Sequence, residues 1–343
     1  LYTIRDAEKV KEHLRDIRYE RPFEPVPGVV ARLFDAGHIL GSAAVQLDLE
    51  ENGRKLRFWF SGDIGRRDLP LLRDPVLPRD VDCMIMESTY GDRPHAHPAQ
   101  AFEALKDVVV RTVNRGGKVI VPAFAVGRTQ ELVYCLHRMM DGGDIPQIPV
   151  FVDSPLAVNV TEVFRLHPEC YNEEMLDAML TETDRDPLGF RHLRYNRDVE
   201  GSKRLNALKT PAIIISASGM CEAGRILHHL KYNIGDPRST VLFVGYQAEH
   251  TLGRKILEGQ DPVPIFGEEY PVRAQVKRAE GYSAHADRTE LLDWAARIGS
   301  QGDLKRVFLV HGEEEGLTAL ADGLREQGVP QVDIPERGQA FEL

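Results

Sequence analysis

The sequence predicts an α/β protein built either as two domains or as one domain carrying a large insertion. Its 343 residues exceed the size at which a single hydrophobic core stops growing. Residues 29–34, 43–49 and 56–60 read as strands joined by short connections, whereas from Pro98 onward helical periodicity alternates with short, wholly apolar runs. That alternation predicts a mainly parallel sheet with helices on its faces.

Taken in order, Thr3 followed by Asp6 is a capping signal, and Val10, Leu14 and Ile17 fall on one face of the charged helix it opens. Pro22, Pro25 and Pro27 end that helix. The loop Asp35-Ala36-Gly37-His38-Ile39-Leu40-Gly41-Ser42 lies between the first two strands, and its glycines allow a tight turn that presents His38. Glu51-Asn52-Gly53 joins the next two strands. Strand 56–60 then runs into Ser61-Gly62-Asp63, which fixes the Asp63 carboxylate at a strand end.

A second strand, 82–86, also ends on a carboxylate, in Glu87-Ser88-Thr89-Tyr90-Gly91. A helix over 99–114, a strand over 118–122, a helix over 129–140 and strands over 150–152 and 212–216 follow, with a charged, irregular stretch holding helical pieces at 165–205. Strand 241–245 and the run 272–280 lead to Gly281-Tyr282-Ser283-Ala284-His285-Ala286-Asp287. A helix over 288–298, a strand over 305–310 ending on His311-Gly312-Glu313, and a helix over 317–327 complete the pattern.

Lys and Arg total 43 against 53 Asp and Glu, and the resulting net charge of −10 argues against a grip on nucleic acid through bulk positive charge. A local basic groove stays compatible with it. Cys83, Cys135, Cys170 and Cys221 lie far apart with no C-x-x-C pair, so neither a disulfide framework nor a cysteine zinc site is indicated, and a reducing cytoplasm fits. No apolar run approaches a membrane span and nothing reads as a signal peptide, so no membrane partner is expected. The chain opens on Leu1 and enters a helix almost at once, which raises the expectation of a longer parent protein.

His38, Asp63 and His311 each follow an apolar strand or a Gly-rich turn, the way a sheet edge collects metal ligands from distant parts of a chain. Imidazole with carboxylate suits zinc or manganese, and an aspartate can bridge two such ions that together activate one water and clamp a phosphate oxygen. Each of these residues alone reads more readily as a capping aspartate or a hydrogen-bonded histidine. His95-Ala96-His97, followed by proline, reads as a solvated loop. Arg128, Arg225 and Arg254 stand beside Gly- or Ser-rich turns where guanidinium groups and backbone N–H groups can hold phosphates. Ser216, Ser218 and Gly219, between a strand and a helix, form a candidate anion-binding turn. A structural role is open to each of these as well.

The segments 35–42, 61–63, 87–91, 281–287 and 310–313, in this order, resemble those of the β-CASP group of the metallo-β-lactamase superfamily. The resemblance extends through Pro122-Ala123-Phe124-Ala125-Val126-Gly127-Arg128-Thr129-Gln130-Glu131, Asp153-Ser154-Pro155-Leu156-Ala157, Ser216-Ala217-Ser218-Gly219-Met220 with residues 224–230, and Val244-Gly245-Tyr246-Gln247-Ala248, so it covers nearly the whole chain. Within the group the chain looks closest to the bacterial and archaeal ribonucleases similar to the endonuclease subunit of eukaryotic pre-mRNA 3′-end processing.

The resemblance implies an α/β fold, a metallo-β-lactamase αββα sandwich, incomplete here, split between residues 1–92 and 283–343, with an inserted β-CASP domain on a mainly parallel sheet at 93–282. It implies two zinc ions, with His38 a ligand of one, Asp63 bridging, and His311 a ligand of the second. Glu87 would be hydrogen-bonded to His285, which orients the imidazole and raises its pKa, making His285 the candidate general acid. Ser283 in the same turn joins Arg128, Arg225, Arg254, Ser216, Ser218 and Gly219 as candidate phosphate contacts. The group's H-x-H-x-D-H motif is nowhere in the chain. The metal site is therefore expected to be incomplete here, with truncation favoured because the other motifs are intact.

The function so implied is zinc-dependent hydrolysis of RNA phosphodiesters in a cytoplasmic enzyme. Single-stranded RNA is the partner and a homodimer a candidate assembly, with endonuclease as against 5′-exonuclease action left open. The alternative is a non-catalytic RNA-binding scaffold of the same fold. A small-molecule ester hydrolase is disfavoured, since the inserted domain would have no task there. Fold by itself does not decide among these.

Overall fold

The computed structural model describes residues 2–181, 186–279 and 281–343. Two large sheets organise them. The first runs in the order Phe23–Val26, Val29–Asp35, Ala43–Glu51, Arg54–Phe60, Cys83–Glu87, Arg306–Val310 and Gln331–Asp333. Neighbours are antiparallel as far as Arg54–Phe60 and parallel beyond it. The chain leaves this sheet after Glu87 and re-enters at Arg306, yet Glu87 lies directly opposite Val310 in the ladder. Residues far apart in sequence thus end their strands side by side.

The excursion builds the second sheet, ordered Gln275–Arg278, Thr240–Phe243, Val119–Pro122, Ile213–Ser216, Val150–Asp153 and Leu193–Asn196. Its strands are all parallel, as the helix–strand alternation predicted. Successive side chains serve opposite faces. Ile213 and Ile215 pack in one core with Val109, Leu132 and Met139, while Ile214 joins Leu230, Phe243 and Ile256 in another. Each such side chain contributes about 1.5–3 kcal/mol by leaving water.

One face of the first sheet carries Trp59, Met84, Met86, Val307 and Leu309 against Leu291, Trp294 and Ile298 of the helix Arg288–Ser300 and Leu320 and Leu324 of the helix Glu314–Glu326. Strand register puts Leu33, Val45, Leu47, Leu49, Leu56, Phe58, Phe60 and Ile85 on the other face. All of these but Phe60 are half-buried, and Phe60 is 41% exposed. Among the described residues this unit has one sheet where an αββα sandwich has two. The sandwich is incomplete, as expected.

The opening helix is shorter than the sequence predicts. Ile4–Val10 is helical with the Thr3–Asp6 capping box in place, but a single 3-10 turn follows, Leu14 and Ile17 lie beyond it, and no residue of the helix is buried. With nothing to cover its apolar stripe, a helix of this length lacks tertiary support. Phe23–Val26 is a strand despite Pro25, tolerated because the strand lies at the sheet edge. The run 272–280 is a strand only over Gln275–Arg278, and Glu280 lies outside the described residues. Residues 165–205 hold the helices Glu173–Thr181 and Val199–Ala207 and a strand, Leu193–Asn196, that charge had hidden; residues 182–185 of that stretch lie outside the described residues. No described helix is long and apolar enough to cross a membrane.

Candidate active site

The site lies where strand ends of the first sheet meet the turn 281–287. Strand Arg54–Phe60 delivers Asp63 through Gly62, whose φ of +58° suits glycine and whose added Cβ would meet the Ala43 carbonyl oxygen at 2.8 Å. In the neighbouring loop, Asp35 accepts the Gly37 N–H at 2.9 Å and the Ser42 hydroxyl accepts the His38 N–H at 3.1 Å. The two loops are tied by the Gly65 N–H to the Ala36 carbonyl at 2.7 Å. His38 Nε2 is then 3.9 Å from Asp63 Oδ2.

Glu87 ends its strand 1% exposed, with its own N–H on the Ser61 hydroxyl at 3.2 Å and one carboxylate oxygen accepting the Ile64 N–H. Its other oxygen, Oε2, is 2.9 Å from His285 Nδ1 and accepts the Thr89 hydroxyl at 2.7 Å. Burial works against a charge on His285, but the hydrogen bond and charge of Glu87, backed by Asp63, raise its pKa above the ordinary value. His38 goes the other way, because burial and the neighbouring His285 outweigh Asp63 and lower its pKa. The His285 backbone is pinned on both flanks: the Arg66 N–H donates to the Ala284 carbonyl at 3.1 Å and the Ala286 N–H to the Ile64 carbonyl at 2.8 Å. Asp287, rather than His285, caps the following helix.

His311 follows strand Arg306–Val310 with φ +53°, a left-handed conformation that few non-glycine residues adopt. Its Nδ1 is 3.4 Å from Asp63 Oδ1. One ligand-capable atom from each of Asp63, Glu87, His285 and His311 lies within 4.8 Å of the others. His38 packs against His285, ring centroids 4.3 Å apart, with its Nε2 turned toward Asp63. His38 Nε2 and His311 Nδ1, on either side of the Asp63 carboxylate, are a donor set that fits a cation such as zinc.

The candidate phosphate contacts divide into groups. Arg128 is buried, ion-paired with Glu131, and lines a small cavity with His38. Arg254 and Ser283 line a cavity of about 440 Å³ with Arg93, Tyr246 and Arg278. Arg93 and Tyr246 also border a second cavity that reaches Thr89 and His311, so the two adjoin. Tyr246 of the inserted region donates its hydroxyl to Glu313, bridging the cleft.

Ser216, Ser218 and Arg225 spend their polar groups inside the inserted region. Ser216 is 1% exposed and donates to the Asp153 carbonyl at 2.8 Å; the Ser218 hydroxyl accepts the Glu222 and Ala223 N–H groups at 3.1 and 3.2 Å. Arg225 donates to Asp153 Oδ1 at 2.7 Å, beside a carboxylate that also holds His229 Nε2 at 2.6 Å. Gly219 packs on Phe124, and its carbonyl accepts from Gln247 at 3.0 Å.

The reading of His95-Ala96-His97 as a solvated loop needs correction. His97 is exposed and caps a helix, but His95 is half-buried, its ring 4.3 Å from that of Tyr90 and its Nε2 3.2 Å from the His285 carbonyl. Burial and the nearby Arg66 lower its pKa to about 4. The sequence carried no sign of this, since the contact depends on how the crossover chain folds back. Thr89, two residues beyond Glu87, likewise carries no signal of its own in the sequence.

Comparison with known proteins gives concordant matches. The Beta-Casp domain model matches residues 129–256, and the model of a Zn-dependent metallo-hydrolase RNA specificity domain matches residues 269–335. A ribonuclease of Thermus thermophilus is 39% identical over 324 residues, covering 94% of this chain and 72% of that protein. The transcription termination factor FttA of Methanocaldococcus jannaschii is 33% identical over 343 residues, covering 97% of this chain and 53% of the factor. An RNase J-like protein of the same organism is 30% identical over 319 residues, 91% of this chain and 70% of its own length. The chain thus spans about half the length of the termination factor.

Proposed function

Because this chain belongs to the β-CASP family of metallo-β-lactamase-fold hydrolases, we propose that it is a zinc-dependent ribonuclease that hydrolyses phosphodiester bonds of single-stranded RNA, in the cytoplasm. The observation that carries this reading is the meeting of His38, Asp63 and His311 with the Glu87–His285 pair at one end of the first sheet, beside cavities lined by Arg93 and Arg254. His38, Asp63 and His311 would hold the metal, which when bound supplies a Lewis acid and activates water. The chain's own residues do the rest. Glu87 accepts Nδ1–H of His285, so the proton available to a departing 3′ oxygen sits on Nε2, and the hydrogen bond and charge of Glu87 favour the protonated imidazole. Arg254, Ser283 and Arg128 are the phosphate-side contacts of this reading.

The alternative reading is a non-catalytic RNA-binding scaffold of the same fold. One experiment separates the two. Zinc content and cleavage of end-labelled single-stranded RNA are measured for the full-length gene product and for its His285→Ala form. The enzyme reading expects zinc in both and a loss of about 10²–10⁴ in kcat for the variant, the range of general acid catalysis. A zinc-loaded protein that binds but never cuts RNA would leave the scaffold standing. Cleavage products distinguish internal from 5′-end attack, and sedimentation tests for the homodimer.

A further inference from the structure

The inserted region carries a second basic groove, outside the site described above. Helix Pro98–Asn114 lies along strand Gln275–Arg278, the outermost strand of its sheet, and the two run in opposite directions. Gly281, just past the strand's end, abuts Ala96 and Ala101 at the helix's start, whereas Thr240, paired with Gln275 at the strand's start, meets Thr112 and Arg115 at the helix's end. The groove between them is therefore as long as the helix, 17 residues or about 25 Å. One end opens on the 440 Å³ cavity beside the turn 281–287, and the other is a cavity of about 200 Å³. Arg278 lines both.

The far cavity has the chemistry of an oxyanion site. Asp107, Arg111, Arg115, Lys277 and Arg278 line it, and its one carboxylate, Asp107, is taken by Arg111 at 2.5 Å. Arg115 and Lys277 have no carboxylate partner among the described residues. The buried hydroxyls of Thr112 and Thr240 are 2.6 Å apart, and Thr240 accepts Arg115 Nη2 at 2.9 Å, so the guanidinium is fixed before any ligand arrives. A planar fork and a mobile ammonium are the two groups that proteins use to hold phosphate. In a chain of net charge −10 this is local charge, placed where bulk charge would repel an anion.

We propose that this groove is a second contact for the backbone of single-stranded RNA, which runs from the catalytic cavity past Arg278 along the edge strand and seats a phosphodiester at Arg115 and Lys277. The proposal rests on the reading of the chain as a protein that takes single-stranded RNA. Inorganic phosphate offers the same chemistry, but continuity favours the polymer: Arg278 belongs to both cavities, and among the described residues no further strand covers the sheet edge between them.

The test uses the full-length gene product with His285→Ala to slow cleavage, alone and with Lys277→Gln, Arg115→Gln or both. A stacked strand rises about 3.4 Å per nucleotide, so RNA of about 4 nucleotides stops short of the far cavity and RNA of about 16 spans the groove. Fluorescence anisotropy over a range of salt concentrations measures binding of each. For the long RNA the slope of log affinity against log salt is expected to fall by about 0.7 in each single variant and about 1.4 in the double, one phosphate contact apiece; the short RNA is expected to bind unchanged. Lys277 is exposed on the edge strand, so its variant stays informative if Arg115→Gln, which loses the Thr240 bond, fails to fold. An unchanged slope for the long RNA in folded variants overturns the proposal, as does an equal loss for both lengths, which marks a charge effect at long range. Phosphorus-31 titration with inorganic phosphate forms the second arm: phosphate binding lost in the variants while the long RNA binds as before assigns the cavity to free phosphate and overturns the RNA contact. With His285 intact, a protein that shows the expected slopes yet never cuts defeats the ribonuclease reading and leaves this one standing, and a protein that binds neither RNA ends both.

Discussion

The Asp63 carboxylate stands between two imidazoles, 3.9 Å from His38 and 3.4 Å from His311, with no lysine or arginine paired to it among the described residues. Asp63→Asn preserves its shape and halves its value as a cation ligand, so zinc affinity should fall by more than the ~10–100-fold lost with an outer partner; competition titration measures it. Asp153 is the structural counterpart. Wholly buried, it accepts from His229, Ser202, Arg225 and Asn196, and these bonds outweigh burial to hold its pKa at about 2 instead of 3.8. The unfolded chain therefore takes up this proton first as pH falls. The stability it contributes, about 2 kcal/mol, is complete above pH 3.8 and disappears as pH drops toward 2. Asp153→Ala should cost roughly 3–5 kcal/mol in denaturant unfolding at neutral pH, because Arg225 and His229 lose a buried acceptor, and should flatten that acid limb.

Among the elements, the turn after strand Arg54–Phe60 and the loop after Val29–Asp35 meet so closely that a Cβ on Gly65 would lie 2.0 Å from the Gly37 carbonyl oxygen. Both contacting groups are backbone, so neither can swing aside. Gly65→Ala should lower stability by about 1–3 kcal/mol, the usual cost of overpacking, and weaken zinc binding by separating His38 from Asp63. Thermal melts with and without zinc check both effects, and a normal melt with normal zinc affinity would show that the loops are not coupled. The motif residues of these loops were legible because glycines and strand ends mark them in the sequence. Thr89 and His95 were not. Thr89 meets His311 only because Glu87 and Val310 are paired across the sheet, and His95 meets His285 only because the crossover chain folds back beneath it.

At the scale of the molecule, one sheet carries two faces of unequal finish. The face against the two C-terminal helices is closed by Trp59, Met84 and Leu309, while Leu47, Phe58 and Phe60 on the other remain open to water in part. A contiguous apolar surface of this kind binds partners or self-associates. The chain should therefore bind a hydrophobic dye and sediment in a concentration-dependent way. Leu47→Ser together with Phe60→Ser should reduce both without moving residues of the second sheet. Unchanged dye binding in that double variant would show that the open face is not the sticky one.

By itself the sequence determined the alternation that makes the inserted sheet parallel, the motif order that marks the family, and the residue types able to hold a cation, because each is written in local spacing. Tertiary structure alone decided which of them meet. It brought Arg128, Arg254 and Ser283 to the cavities around the site but left Ser216 and Arg225 in the interior network of Asp153, and it set Thr89 between Glu87 and His311. Convergence depends on strand order and register across some 220 residues of intervening chain, which no local pattern of charge or hydrophobicity encodes.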